Sequence, residues 1–189
     1  MDSESTPTTR EASQLEKNQT QQALEKILPS FKRYYTIKTE GAAEPFTAEA
    51  EFLVHGEQYM LVKAAKIADI DSREYLYFYT ENSIDLEKLE HLCQKAWGTG
   101  TARLTPYYGL KNADVGLFVI CNSLTAEAEK KVKKQKFYKS YKFSFYGMSR
   151  FKLVTIELDK NRICSNYAGS DFKKLVSNIL FPKGGKEKK

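Results

Sequence analysis

Two histidines, three cysteines and one tryptophan in 189 residues leave little material for metal or thiol chemistry. Cys93, Cys121 and Cys164 lie in three separate stretches with no Cys-x-x-Cys pair. An odd, scattered count predicts reduced core thiols rather than a disulfide framework. His55 falls in a His-Gly-Glu turn, and His91 and Cys93 are two apart in a helical stretch. Residues two apart do not share a helix face, so they begin no zinc site. No apolar run approaches the about 20 residues a bilayer-crossing helix needs. The opening MDSESTPTTREASQ lacks the basic-then-apolar order of a secretory leader. Gly98-x-Gly100 has no third glycine and follows no strand, so it reads as the stop of a helix and not as a phosphate loop. These shortages predict a soluble, cytoplasmic protein with no cofactor, no metal site, no membrane partner and no defensible catalytic motif.

Acidic residues are missing from one stretch in particular. Between Lys130 and Lys152, KKVKKQKFYKSYKFSFYGMSRFK, there are nine cations and no carboxylate. Seven aromatics are interleaved with them: Phe137, Tyr138, Tyr141, Phe143, Phe145, Tyr146 and Phe151. Charge is also uneven along the chain. Residues 1–100 hold 11 Lys/Arg against 17 Asp/Glu, whereas residues 101–189 hold 19 against 7. Either the molecule is dipolar, able to orient on a polyanion or an acidic partner, or the two halves interleave in one sheet and their charges mix.

Residues 1–18 and 183–189 are polar or basic with almost nothing to bury, so they read as disordered tails around one globular unit at 19–182. Ala23, Leu24, Ile27 and Leu28 have helical spacing, with Pro29 opening a further turn. Gly41 to Pro45 reads as a linker. Strands are expected at 46–54, 59–67 and 74–80, joined by short turns into an antiparallel meander. A helix capped by Asn82 or Ser83 should run to about Trp97, with Leu86, Leu89, Cys93, Ala96 and Trp97 on its apolar face. VGLFVIC, 115–121, is apolar on both sides and reads as a strand covered on both faces. Thr125 should start a helix with acids early and lysines late, matching its dipole. A hairpin follows, Phe137–Phe145 and Phe151–Leu158, turning at 146–149, then a short run around Ile163 and a last helix near 170–180. The expected fold class is α+β, with α/β as the alternative: a mixed sheet of about five to seven strands with helices packed on it.

The order of helix, meander, helix and strand resembles the restriction-endonuclease-like core. That resemblance implies a divergent metal-dependent nuclease, with an acid near the second strand and an acid-x-Lys triplet on the third. Asp69, Asp71 and Glu74 supply acids, but EYLYFYT has no lysine at the required place; Lys63 and Lys66 lie on the preceding expected strand. Turn carboxylates are ordinarily just solvated.

The candidate site residues are therefore Lys130, Lys131, Lys133, Lys134, Lys136, Tyr138, Lys139, Lys142 and Arg150. Cations neutralise phosphates, and exposed rings let unpaired bases stack, so the pattern suits nucleic acid, single strands above all. Period-two alternation puts Tyr138, Ser140, Lys142, Ser144 and Tyr146 on a polar face, and assigns Phe143 and Phe145, beyond Tyr141, to the core. The competing reading is a solvated lysine surface that only confers solubility. A protein–protein adaptor is a further alternative, through the acidic half or through Tyr75, Tyr77 and Tyr79, which share a strand face unless the first or last helix covers it.

Overall fold

The computed structural model describes residues 19–54 and 71–182. The expected strand at 59–67, Asp69, Lys63, Lys66, His55 and both tails lie outside the described residues. In chain order the elements are helix α1 at 19–27, strands β1 Thr36–Lys38, β2 Ala48–Val54 and β3 Asp71–Ile84, helix α2 Leu86–Ala102, strand β4 Leu110–Leu124 and helix α3 Ala126–Lys134. Strands β5 Tyr138–Ser140, β6 Met148–Glu157 and β7 Arg162–Ser165 and helix α4 Ser170–Leu180 complete them.

The seven strands form one mixed sheet in the order β1-β2-β3-β4-β6-β5, with β7 also on β6. β1, β2 and β3 pair antiparallel, but not as the expected meander. There 46–54 and 74–80 are separated by 59–67, whereas β2 pairs directly with β3, and β1 has no strand signal above the helical one around it. β3, β4 and β6 run parallel, which requires crossovers, and α2 and α3 lie in those crossovers. α2 and α3 cover one sheet face; α1 and α4 cover the other. The result is an α+β domain of four helices on a mixed sheet among the described residues. β4 sits at its centre, buried almost throughout from Ala113 to Asn122, as a two-sided apolar strand should be.

Local signals hold at several helix ends. Thr125 caps α3 by accepting from Ala128 N at 3.3 Å, with Glu127 and Glu129 early and lysines late. Leu28–Ser30 form a 3-10 turn with Pro29 inside it. Other boundaries move. β3 runs through Asn82 and Ser83, and the α2 cap is Asp85, accepting from Lys88 N at 2.8 Å. α2 does not stop at Gly98-Thr99-Gly100 but continues to Ala102. Gly100 is there because a Cβ would stand 2.6 Å from Val115 Cγ2; the glycine lets helix and central strand touch. The tyrosine face of β3 is buried under α2, neither the first nor the last helix, so Tyr75, Tyr77 and Tyr79 offer nothing to a partner.

The hairpin departs most from expectation. β5 is only three residues long, and β6 begins at Met148, so the connection spans 141–147. Phe143 and Phe145 are not core residues: they are 95% and 67% exposed. Alternation does not apply to them, because the extended backbone ends at Ser140 and the chain turns left-handed from Lys142. The turn is left-handed, with φ of 44° at Lys142, 54° at Phe143 and 71° at Ser144. Each such non-glycine residue costs on the order of 1 kcal/mol. Gly147, at φ 92°, closes the turn, and Tyr141 N donates to its carbonyl at 3.0 Å.

The two charge halves interleave. Lys152 on β6 pairs with Glu74 on β3, Arg103 after α2 pairs with Glu49 and Glu51 on β2, and Lys131 on α3 pairs with Glu90 on α2.

Candidate functional site

One edge of the sheet is split. β5 covers β6 from Met148 to Arg150 and β7 covers it from Val154 to Glu157, so the residues between have no partner strand. Asn166, just past β7, fills the gap with its side chain. Its Oδ1 accepts from Leu153 N at 3.0 Å and Gly169 N at 2.9 Å, and its Nδ2 donates to Phe151 O at 2.8 Å and Gln135 O at 3.0 Å. A planar amide thereby replaces one rung of ladder on β6 and ties it to the end of α3 and the start of α4. A buried backbone group needs such a partner.

Above Asn166 lies a cleft of about 450 Å³. The end of α3 and the residues after it contribute Lys133, Lys134 and Lys136; β5 contributes Tyr138, β6 Arg150, and the turn before α4 Tyr167 and Ala168. Tyr138 is 52% exposed and Tyr167 97%. Phe137 and Phe151 form the apolar side, and the Phe137 ring stacks on Trp97 of α2 at 5.6 Å between centroids.

Five of the nine candidate residues thus line one cavity: Lys133, Lys134, Lys136, Tyr138 and Arg150. The other four do not. Lys130 is exposed on α3, and Lys131 is held by Glu90. Lys139 and Lys142 sit farther along the hairpin, their ammonium groups 5.3 Å from the Tyr141 ring and 4.3 Å from the Tyr146 ring. Lys133 also pairs with Glu129 at 3.5 Å, one helical turn back. Tyr167 and Asn166 were not singled out in the sequence. Asn-Tyr-Ala-Gly has the composition of an ordinary turn, and nothing local says that it faces the basic stretch.

Arg150 joins the cleft to a buried polar network. Asp114 on β4 accepts from Arg150 N at 3.1 Å and Nε at 3.3 Å at one oxygen, and from Nη2 at 2.8 Å at the other. The Asp114 bond holds the guanidinium above its ordinary pKa, against the opposing effect of burial. Behind it Lys152 bridges Asp114, at 3.1 Å, and Glu74. Burial would lower the Lys152 ammonium, but Glu74 and Asp114 outweigh it, so its pKa is raised. Tyr35 donates to Glu74 from the far side; burial first, then the carboxylate, pushes its phenol far above the ordinary range. Glu74, one of the acids that the nuclease resemblance pointed to, is therefore a buried partner of a lysine and a tyrosine and not a turn carboxylate. Among the described residues no group of three or more His, Cys, Asp and Glu is placed to hold a metal ion. The buried Cys93 and Cys121 thiols are pushed up to about 12 by desolvation, far from a reactive thiolate, and His91 is exposed on α2.

No helix among the described residues is long and apolar enough to cross a membrane. Neither the curated proteins nor the solved structures contain a match to this chain. A family model does match, over residues 19–178, spanning α1 through most of α4 and all of the cleft's elements. The chain belongs to the family described as Domain of unknown function (DUF8052).

Proposed function

We propose that this protein binds single-stranded nucleic acid along the cleft beside Asn166, without catalysing a reaction on it. The observation that supports this reading is the composition of that cleft: four cations, Lys133, Lys134, Lys136 and Arg150, around the exposed rings of Tyr138 and Tyr167. Phosphates need the cations, and unpaired bases need ring faces; a duplex, with its bases stacked internally, can use only the first. The arrangement also favours pre-organisation. Arg150 is fixed by three contacts to Asp114, and Asn166 fixes the floor, so little has to be ordered on binding.

Fluorescence anisotropy with labelled single-stranded and duplex oligonucleotides at two salt concentrations tests it. Each phosphate contact to a single strand contributes a log–log salt slope of about −0.7. Replacing Lys133 and Lys134 together by Gln should flatten that slope by roughly one to two units and weaken binding alike for all sequences. Tyr138→Ala or Tyr167→Ala should cost single-strand binding about 1–3 kcal/mol and duplex binding much less. A flat trace for the folded protein at about 0.15 M salt, where electrostatic screening is physiological, would leave the lysines as a solubilising surface.

A further inference from the structure

We infer that the left-handed turn at 141–147 is a second contact for the same strand, and that Phe143 and Phe145 are platforms or wedges for its bases. The inference rests on the nucleic-acid reading of the cleft and extends its footprint along β5 to the hairpin tip. Three independent features meet at this turn. First, two phenylalanine rings stand in water at 95% and 67% exposure, with no polar atom to justify their position. Second, the backbone that carries them is strained yet tightly bonded. Three consecutive non-glycine residues are left-handed, while Phe145 N donates to Lys142 O at 3.1 Å, Tyr146 N to Tyr141 O at 3.2 Å and Gly147 N to Ser144 O at 3.2 Å. The Ser140 and Ser144 hydroxyls lie 2.9 Å apart across the turn. Strained backbone that surrounding bonds hold in place clusters at functional segments. Third, the cations that flank the rings, Lys139 and Lys142, are exposed, and no acid occurs anywhere from Lys130 to Lys152.

These features select a polyanion with flat apolar groups spaced between its charges. β5 connects cleft to tip with Tyr138, Lys139 and Ser140, so from Tyr138 to Phe145 every residue except Ser140 and Ser144 is a ring or a cation. Lys142 already lies against the Tyr146 ring, and Tyr108 meets that ring edge-on at 6.3 Å, which gives the tip a firm aromatic base. A strand engaged at both places must be long enough to leave the cleft and follow β5 outward.

That length requirement separates this inference from the reading beneath it. Anisotropy titrations should use two labelled oligothymidylates, of about 4 and about 16 nucleotides, which bracket the site sizes of comparable single-strand modules. The double variant Phe143→Ser/Phe145→Ser alters only exposed side chains, and its fold is checked by an unchanged melting temperature. The variant should bind the longer strand about tenfold or more weakly than the parent, while binding of the shorter strand to the cleft is unchanged. Lys133→Gln/Lys134→Gln should weaken both. Equal binding of the longer strand by parent and phenylalanine variant overturns the second contact and leaves the cleft intact. Failure of the parent to bind either strand overturns both. A parallel sedimentation arm uses phosphatidylcholine vesicles with and without phosphatidylserine. If the phenylalanine pair governs vesicle binding and leaves strand affinity unmoved, the tip is a lipid-surface contact and the inference is wrong.

Discussion

The β1–β2 edge of the sheet and the lysine run beside β5 on the other edge carry their cations differently. On the β1–β2 edge each described cation near the sheet faces carboxylates. Arg103 bonds Glu51 and reaches Glu49 at 3.3 Å, Lys38 reaches Glu49 at 3.7 Å, and the Arg103 guanidinium lies 4.6 Å from the Tyr75 ring centre. At the β5 end of the other edge Lys134 and Lys136 have no ion-pair partner among the described residues, and Lys133 has only the nearby Glu129. Arg150 beside them pairs with Asp114 at 2.8 Å, and Arg162 on β7 pairs with Glu157 and Glu129, each at 2.6 Å. Both edges combine basic groups with tyrosine, yet one is closed on itself and the other opens on a cleft. Pairing sets Lys134 and Lys136 apart from Lys38, Arg103, Arg150 and Arg162. A matched cation such as Arg150 is held in place by its carboxylate, while an unmatched one such as Lys134 keeps its whole field for something outside the chain.

The largest expected effect comes from breaking the split edge at its floor. Asn166→Asp turns a donor into an oxyanion facing the Phe151 and Gln135 carbonyl oxygens, which now lie 2.8 and 3.0 Å from Nδ2. The expected cost is about 3–5 kcal/mol, a fall in Tm of about 10 °C for a chain of this size. Thermal unfolding followed by circular dichroism checks it; a shift of about 2 °C or less would mean that Asn166 only decorates the cleft.

Lys152→Met comes next, because it removes the ammonium that bridges Glu74 and Asp114. Two buried carboxylates are left facing each other with only Arg150 and Tyr35 as partners among the described residues. Loss of one partner of a buried pair costs about 3 kcal/mol. The pH dependence has a defined sign. The folded Lys152 pKa is raised above an unfolded value of about 10.4, so its contribution is fully present below that pH and fades as pH rises through the folded value. Urea unfolding at pH values from neutral to alkaline should show parent and variant separated by a constant gap, which narrows only above about pH 10.4. A gap that closes already near neutral pH contradicts the network.

The smallest effects compare the edges directly. Arg103→Gln leaves the buried Glu49 without its main partner and should cost about 1–2 kcal/mol. Lys134→Gln should stay within about 0.5 kcal/mol, as surface changes without a partner do. Denaturant midpoints of the two variants, at equal slope, decide the matter. Equal losses would erase the distinction between the edges.

Much of the layout was legible in the residues. The α3 start could be read from Thr125 with Glu127 and Glu129 behind it, and the two-sided burial of β4 from VGLFVIC. Capping and periodicity are local, and these elements depend on little else. Gly100 was misread for the complementary reason. A glycine that stops a helix and one that lets a strand approach look the same in a sequence; Val115, fifteen positions on, decides between them. Phe143 and Phe145 failed for a related reason, since alternation holds only while the backbone stays extended, and β5 ends at Ser140 before the left-handed turn that carries them.

The candidate site divides along the same line. The residue types, a run of lysines with interleaved rings and no acid, were determined by the sequence alone, because composition needs no partner. Which of them meet was decided by tertiary structure. Lys133, Lys134, Lys136, Tyr138 and Arg150 share a cleft because β5 and β7 divide one edge of β6, and Asn166 and Tyr167 enter it from a turn far along the chain. Glu74, Asp114 and Lys152 lie on three separate strands, and only the register of β3, β4 and β6 makes them a network. Register is a property of pairs of strands, and a charge on one strand carries no sign of what lies beside it on the next.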